Sequence, residues 1–219
     1  MSLATYYDSY WRGGGEGRFG DVVPCNLDGA REWFFPRLHR NDAILDFGCG
    51  EGALVAELQQ SGFDVVGIDV SEAAIRNAYA KHSSIMAYPF NGERIPFNGD
   101  RFDVVIMQEV LEHLLDPRAA LLECRRVLKP GGQLLLTTSW TNRAKMMLAV
   151  LVCFDSFFHP QSPHIRQFTP RSLDALLDEC DFVVEHRQAT KWLYGCIPAG
   201  QFVAARRRRY AGRNRGGCA

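Results

Sequence analysis

Three groups of residues in this chain have types and spacing suited to chemistry. The first is the turn Asp46-Phe47-Gly48-Cys49-Gly50-Glu51-Gly52, which ends an apolar run at 43–47. Glycines at alternate positions remove side chains where a strand turns into a helix, so a ligand can lie close against the backbone. Asp69 ends the next apolar run, nineteen residues after Gly50. A carboxylate there can accept both hydroxyls of a ribose. The second group is Glu109, Glu112 and His113, at i, i+3 and i+4 after a third apolar run. On a helix they share one face and could offer ligands to a cation. The third is His164, in Ser162-Pro163-His164-Ile165-Arg166-Gln167-Phe168. An imidazole titrates near neutrality, which suits a general base. His159 is a weaker alternative, and His39, His82 and His186 read as surface positions. The glycines run GxGxG rather than GxGxxG, which weakens a nicotinamide-enzyme reading without removing it.

These residues need elements to carry them. Apolar strands at 43–47, 64–68, 102–107 and 133–138, with a weaker one at 84–88, alternate with helical stretches at 53–60, 71–81 and 117–128. A further helix at 28–39 precedes them. Strands that are apolar throughout and separated by helices predict a parallel sheet covered on both faces. Ser71 is the expected cap of its helix. Thr169 and Pro170 predict the cap and first turn of another at 171–180. Strands at 182–186 and 197–204 then close the sheet. The expected fold is α/β: a doubly wound, Rossmann-like, seven-stranded sheet with helices on both faces. Its last strand is antiparallel, and a helical insert follows the fifth. Residues 1–205 form the domain, 141–168 its acceptor-facing insert, and 206–219 a basic, disordered tail.

Composition excludes several roles. With 47% hydrophobic and 23% charged residues among 219, the chain reads as a globular protein of one domain. Its zero formal charge hides six arginines after position 205; without them 19 basic residues face 25 acidic ones. An acidic body argues against a nucleic-acid binder, whose footprint would be a basic face. Seven scattered cysteines without paired spacing fit a reducing compartment. The start MSLATYYDSYWRGGG has no apolar signal-like stretch, and the longest apolar run, 146–154, falls far short of the roughly 20 residues that span a bilayer. The expected setting is cytoplasmic, with at most peripheral membrane contact.

ILDFGCGEG, VVGIDVS, PFNGERIPF, FDVVIMQEVLEHLLDP and RRVLKPGGQLLLTT stand in an order and spacing that closely resemble the class I S-adenosylmethionine-dependent methyltransferases, over residues 40–140 strongly and 160–185 more loosely. The resemblance is nearest to the ubiquinone-biosynthesis O-methyltransferase type. It implies S-adenosylmethionine as cofactor. Gly48, Cys49 and Gly50 would border it, the glycines against its methionine moiety, with Asp46 on the ammonium group. Asp69 would hold the ribose hydroxyls and Val70 would pack on the adenine. Asn91 stands where the family often has an acid near the adenine amine; its amide oxygen could still accept. Gln108 would touch the methionine end. Tyr6-Tyr7-Asp8-Ser9-Tyr10-Trp11 resembles an aromatic lead-in that many relatives fold over the cofactor, and a tethered terminus fits the same residues.

The resemblance also implies where the acceptor lies. Relatives in ubiquinone biosynthesis carry ExxEH, some with magnesium, so Glu109, Glu112 and His113 are candidate ligands; a structural role, common elsewhere in class I, is the preferred reading. His164 and His113 are the candidate catalytic histidines. The insert at 142–158 shows no clean polar face and reads as an acceptor-facing lid, with Arg143 and Lys145 at its start. The expected reaction is methyl transfer to oxygen on a small, largely apolar acceptor, quinone-like or lipid-linked. The alternatives are N- or C-methylation and a catalytically silent cofactor-binding module serving a partner.

Overall fold

The computed structural model describes residues 3–13, 25–152, 154–158, 164–193 and 195–209. His159, Pro160 and Pro163 of the insert and residues 210–219 of the basic segment lie outside them. A seven-stranded sheet runs in the order β3-β2-β1-β4-β5-β7-β6. Its strands are β1 (Ala43–Phe47), β2 (Asp64–Asp69), β3 (Ala87–Pro89), β4 (Phe102–Gln108), β5 (Leu128–Ser139), β6 (Phe182–Leu193) and β7 (Ile197–Arg207). The first five are parallel, and β7 is antiparallel to both β5 and β6.

Side-chain alternation along the strands explains the two covered faces. Ile44, Val104, Ile106, Leu135 and Phe202 point to one side, where they meet helices α2 (Leu27–Trp33), α3 (Ala53–Gln60) and α4 (Glu72–Lys81). Leu45, Val105, Met107, Leu134, Leu136 and Val203 point to the other, against α5 (Pro117–Val127) and α8 (Pro170–Glu179). The caps read from sequence are present: Ser71 Oγ accepts from the Ala74 N–H, and Thr169 forms a capping box with Ser172.

Three boundaries differ from expectation. The third strand pairs at 87–89, three residues later than its apolar start, because Ile85 turns into the core beneath Gly52. The expected helix at 28–39 stops at Trp33 and passes into a 3₁₀ turn, Phe35–Arg37, at Pro36. The basic segment does not begin as a loose tail. Arg206 lies opposite Gln133 in the sheet, and Arg206, Arg207 and Arg208 pair with Glu185, Asp100 and Asp178. Acids on β6, on α8 and in the turn before β4 let the strand continue.

The insert forms α6 (Arg143–Val152) and α7 (Phe154–Phe157). Of α6 only Ala149 is buried, whereas Met147, Val150, Leu151, Val152, Phe154 and Phe158 are exposed. Asn142 Nδ2 donates to the Pro198 carbonyl, which holds α6 against the start of β7. Among the described residues no helix is long and apolar enough to cross a membrane.

Candidate active site

The strand order reverses between β1 and β4, and open α/β sheets bind ligands at that crevice. A cleft of about 860 Å³ opens there, at the carboxyl ends of β1, β2 and β4. Asp46, Gly48, Cys49, Gly50, Asp69, Val70, Asn91 and Gln108 all border it. Gly48 has φ +82°, and a Cβ there would meet Val110 Cγ2 at 2.5 Å. Gly50 has φ +53°, and its Cβ would press on the Trp11 ring at 3.1 Å. Both positions therefore need glycine for the turn and for space.

The two carboxylates differ in how they are held. Asp69 Oδ2 accepts from the Gly50 N–H and Oδ1 from the Ser71 N–H, both at 2.9 Å, which locks it between the β1 and β2 turns. Burial raises its pKa, and those backbone donors oppose the rise. Asp46 is as deeply buried; burial first and then the Asp69 charge push its carboxyl up to about 7. A cation in the cleft beside Asp46 relieves both causes. This is the fit expected for an ammonium-bearing ligand with a ribose, and the glycine cradle leaves room for one.

Three expected contacts are modified. Cys49 borders the cleft, but its thiol packs in the core, Sγ 2.7 Å from the place a Gly67 Cβ would take. Asn91 Oδ1 already accepts from the N–H groups of Glu93 and Arg94, at 3.0 and 3.2 Å. The acceptor expected for an adenine amine thus shapes its own loop. Gln108 accepts from the Cys25 thiol and donates to the Asn26 carbonyl, both at 3.1 Å, fastening that segment as a further wall. Burial, the largest cause, raises the Cys25 thiol to about 12, so it stays a protonated donor.

Helix α1 (Leu3–Arg12) roofs the cleft with Tyr7, Tyr10 and Trp11. Asp8 is what seats it: Oδ1 accepts from Ser71 Oγ at 2.7 Å and from the Ala73 N–H at 3.0 Å, at the N-terminus of α4. Asn77 Nδ2 adds a bond to the Trp11 carbonyl at 3.2 Å. The aromatic lead-in was visible in the sequence, but Asp8 carried no signal there. Its partners are more than sixty residues away.

At the far end of the cleft the ExxEH residues do not share a helical face. Glu109 takes φ +53°, a left-handed conformation uncommon outside glycine, and its N–H donates to the Thr137 carbonyl. The chain then makes a 3₁₀ turn, Leu111–His113. Glu109 and His113 border the cleft; Glu112 points inward, fully buried. Thr138 Oγ1 donates to Glu112 Oε2 at 2.8 Å, and Oε1 has no hydrogen-bond partner. Burial first, then Glu109, push the Glu112 carboxyl up to about 8.

His164 stands behind His113 rather than on the cleft lining, the ring centroids 4.7 Å apart. Tyr7 meets His113 from the roof, ring perpendicular to ring at 6.0 Å. None of the described residues of the insert borders the cleft. Met147, Val150, Leu151 and Val152 are exposed to solvent instead of lining the ligand space as a lid would.

A model of the methyltransferase domain matches residues 23–187. The chain belongs to the S-adenosylmethionine-dependent methyltransferase family. Within that family, the ubiquinone biosynthesis O-methyltransferase of Cereibacter sphaeroides is 35% identical over 141 residues, covering 58% of this chain and 57% of that protein. The chain thus matches little more than half the length of that relative. The protein of the same name from Alkalilimnicola ehrlichii is 31% identical over 172 residues, 75% of this chain and 69% of its own. In fold, the chain superposes on magnesium protoporphyrin IX methyltransferase from Synechocystis, solved with bound S-adenosylhomocysteine, with a TM-score of 0.67. Sequence identity there is 18%, over 94% of this chain and 95% of that one.

Proposed function

We propose that the protein transfers a methyl group from S-adenosylmethionine to a hydroxyl oxygen of a small, largely apolar, quinone-like acceptor. One observation carries the reading: a single cleft joins a buried carboxylate pair, Asp46 and Asp69, to an imidazole, His113, at its other end. The names of the relatives favour oxygen as the acceptor atom.

When bound, the cofactor supplies an electrophilic methyl on a positively charged sulfur. Asp46 holds the ammonium group and Asp69 the ribose hydroxyls; Gly48 and Gly50 admit the methionine portion, and Val70 packs against the adenine. Tyr7, Tyr10 and Trp11 exclude water from above. His113 takes the proton of the acceptor hydroxyl, which raises the nucleophilicity of the oxygen. His164 acts through His113, as a positioning residue packed edge-on against its ring. Orientation within the closed cleft supplies much of the remaining acceleration.

The test is methyl transfer from labelled S-adenosylmethionine to hydroxylated benzoquinols with and without an apolar tail, beside amine and carbon acceptors of similar size. Label on oxygen is the expected result. Cofactor binding without transfer to any hydroxyl overturns the acceptor assignment and favours the silent binding module. Failure to bind the cofactor overturns the whole reading.

A further inference from the structure

We propose that Glu112, His113 and His164 form a binding site for a divalent transition-metal ion of the zinc type, and that the site does not take magnesium. The inference deepens the reading above and rests on it only where His113 is the base.

The ligand atoms of these three residues lie within 4.8 Å of one another. A zinc ion about 2.0–2.1 Å from each would draw them to about 3.4 Å apart. They come from two segments about fifty residues apart, adjacent Glu112 and His113 on one and His164 on the other. Glu112 and His113 sit on the 3₁₀ turn after β4. His164 lies on the return from the insert, which is tied down just after it. The Arg166 N–H donates to the Glu112 carbonyl at 3.0 Å, its guanidinium to the Leu115 carbonyl at 2.6 Å, and the Thr141 N–H to the Phe168 carbonyl at 2.8 Å. Thr138 orients Glu112 through Oε2, as outer partners orient metal-binding carboxylates. The other oxygen, Oε1, is buried and lacks a hydrogen-bond partner. A buried carboxylate oxygen in that state is stabilised by a cation.

The donor set decides which cation. Magnesium demands octahedral oxygen coordination and keeps several waters. Here two of three donors are imidazole nitrogens, in a buried corner, and Glu109, the oxygen ligand that a magnesium reading needs, is outside the cluster. Two histidines and one glutamate suit zinc with one coordination position left open. An ion on His113 occupies the lone pair that takes the acceptor proton, so metal loading and the base role exclude each other.

The experiment uses the full chain, stripped of metal and titrated with Zn(II) by calorimetry and with Co(II) by visible absorption; Mg(II) serves as the control. One equivalent of zinc should bind, a tenfold excess of magnesium should not displace it, and His164→Ala should weaken it at least about 100-fold. Thr138→Val, which leaves all three ligands, should weaken it about 10-fold. His164 is only partly buried, so its variant should fold, and unchanged S-adenosylmethionine affinity checks this. Absence of stoichiometric zinc binding, binding indifferent to His164→Ala, or displacement by magnesium each overturns the site. Zinc that binds through His164 yet leaves turnover unchanged upholds the site and instead overturns His113 as base.

Discussion

The two ends of the cleft are built on opposite principles. At the cofactor end, two short turns do most of the work, with Asp69 locked to backbone N–H groups and Asp46 buried beside it. Asp69 accepts from Gly50 and Ser71, in the turns that follow the adjacent parallel strands β1 and β2. At the acceptor end, Tyr7, Glu112, His113 and His164 come from α1, a 3₁₀ turn and the return from the insert. Local construction makes the first end insensitive to what surrounds it. The second exists only when three distant segments are docked, which makes it the place where specificity and control can vary while cofactor binding stays constant.

Breaking the cofactor end should have the largest effect. Asp69→Ala removes a charged acceptor from two backbone donors and from the ribose. At about 1.5–3 kcal/mol for each charge-assisted bond, S-adenosylmethionine affinity should fall by at least about 100-fold in calorimetry. Retained affinity in a folded variant would erase the contrast between the two ends.

The acceptor end should respond in rate rather than cofactor affinity. His113→Ala should lower kcat about 10²-fold with an unchanged cofactor dissociation constant. His164→Ala should cost less and should move the pH–rate profile, since it acts by orienting His113. If the two variants reverse in size, His164 is the base and the division of labour is wrong.

The roof links the ends and should show an intermediate effect. Asp8→Ala deletes two acceptor contacts at the start of α4, worth about 1 kcal/mol. Stopped-flow measurements should find cofactor release quickened about 5- to 10-fold, with Tyr7 no longer held over His113.

The smallest effect is a proton. Because the folded protein holds Asp46 at about 7, it keeps a proton that the unfolded chain has released at lower pH. Stability of the ligand-free protein should therefore fall as pH rises from the ordinary carboxylate range through about 7. A cationic ligand favours the charged carboxylate, so binding near pH 7 should release a proton and tighten with rising pH. Calorimetry in two buffers of different ionisation enthalpy reads this directly; no release would mean that Asp46 does not face the ammonium.

The cofactor end was legible in the sequence because its residues act within one turn of a strand. Gly48, Gly50 and Asp69 have the same meaning in any sheet that places β1 beside β2. Asn91 and Cys49 border the cleft as expected, but the amide also serves its own loop and the thiol packs near Gly67, neither of which spacing reveals. For Glu109 the spacing assumed a helix, and one left-handed residue redirected the chain. The insert was read as a lid from its apolarity, which does not say toward which side the helix turns.

The sequence by itself determined the order of strands and helices, the two-sided core, the caps at Ser71 and Thr169, and the glycine cradle. These depend on hydrophobic period, local backbone freedom and short-range hydrogen bonds, all written within a few residues. Only the tertiary structure decided that His164 backs His113, that Asp8 seats the roof on α4, and that Arg206–Arg208 pair with acids instead of trailing into solvent. Each of those depends on which distant segments the closed sheet brings within hydrogen-bonding or ring-contact distance, and no local pattern encodes that proximity.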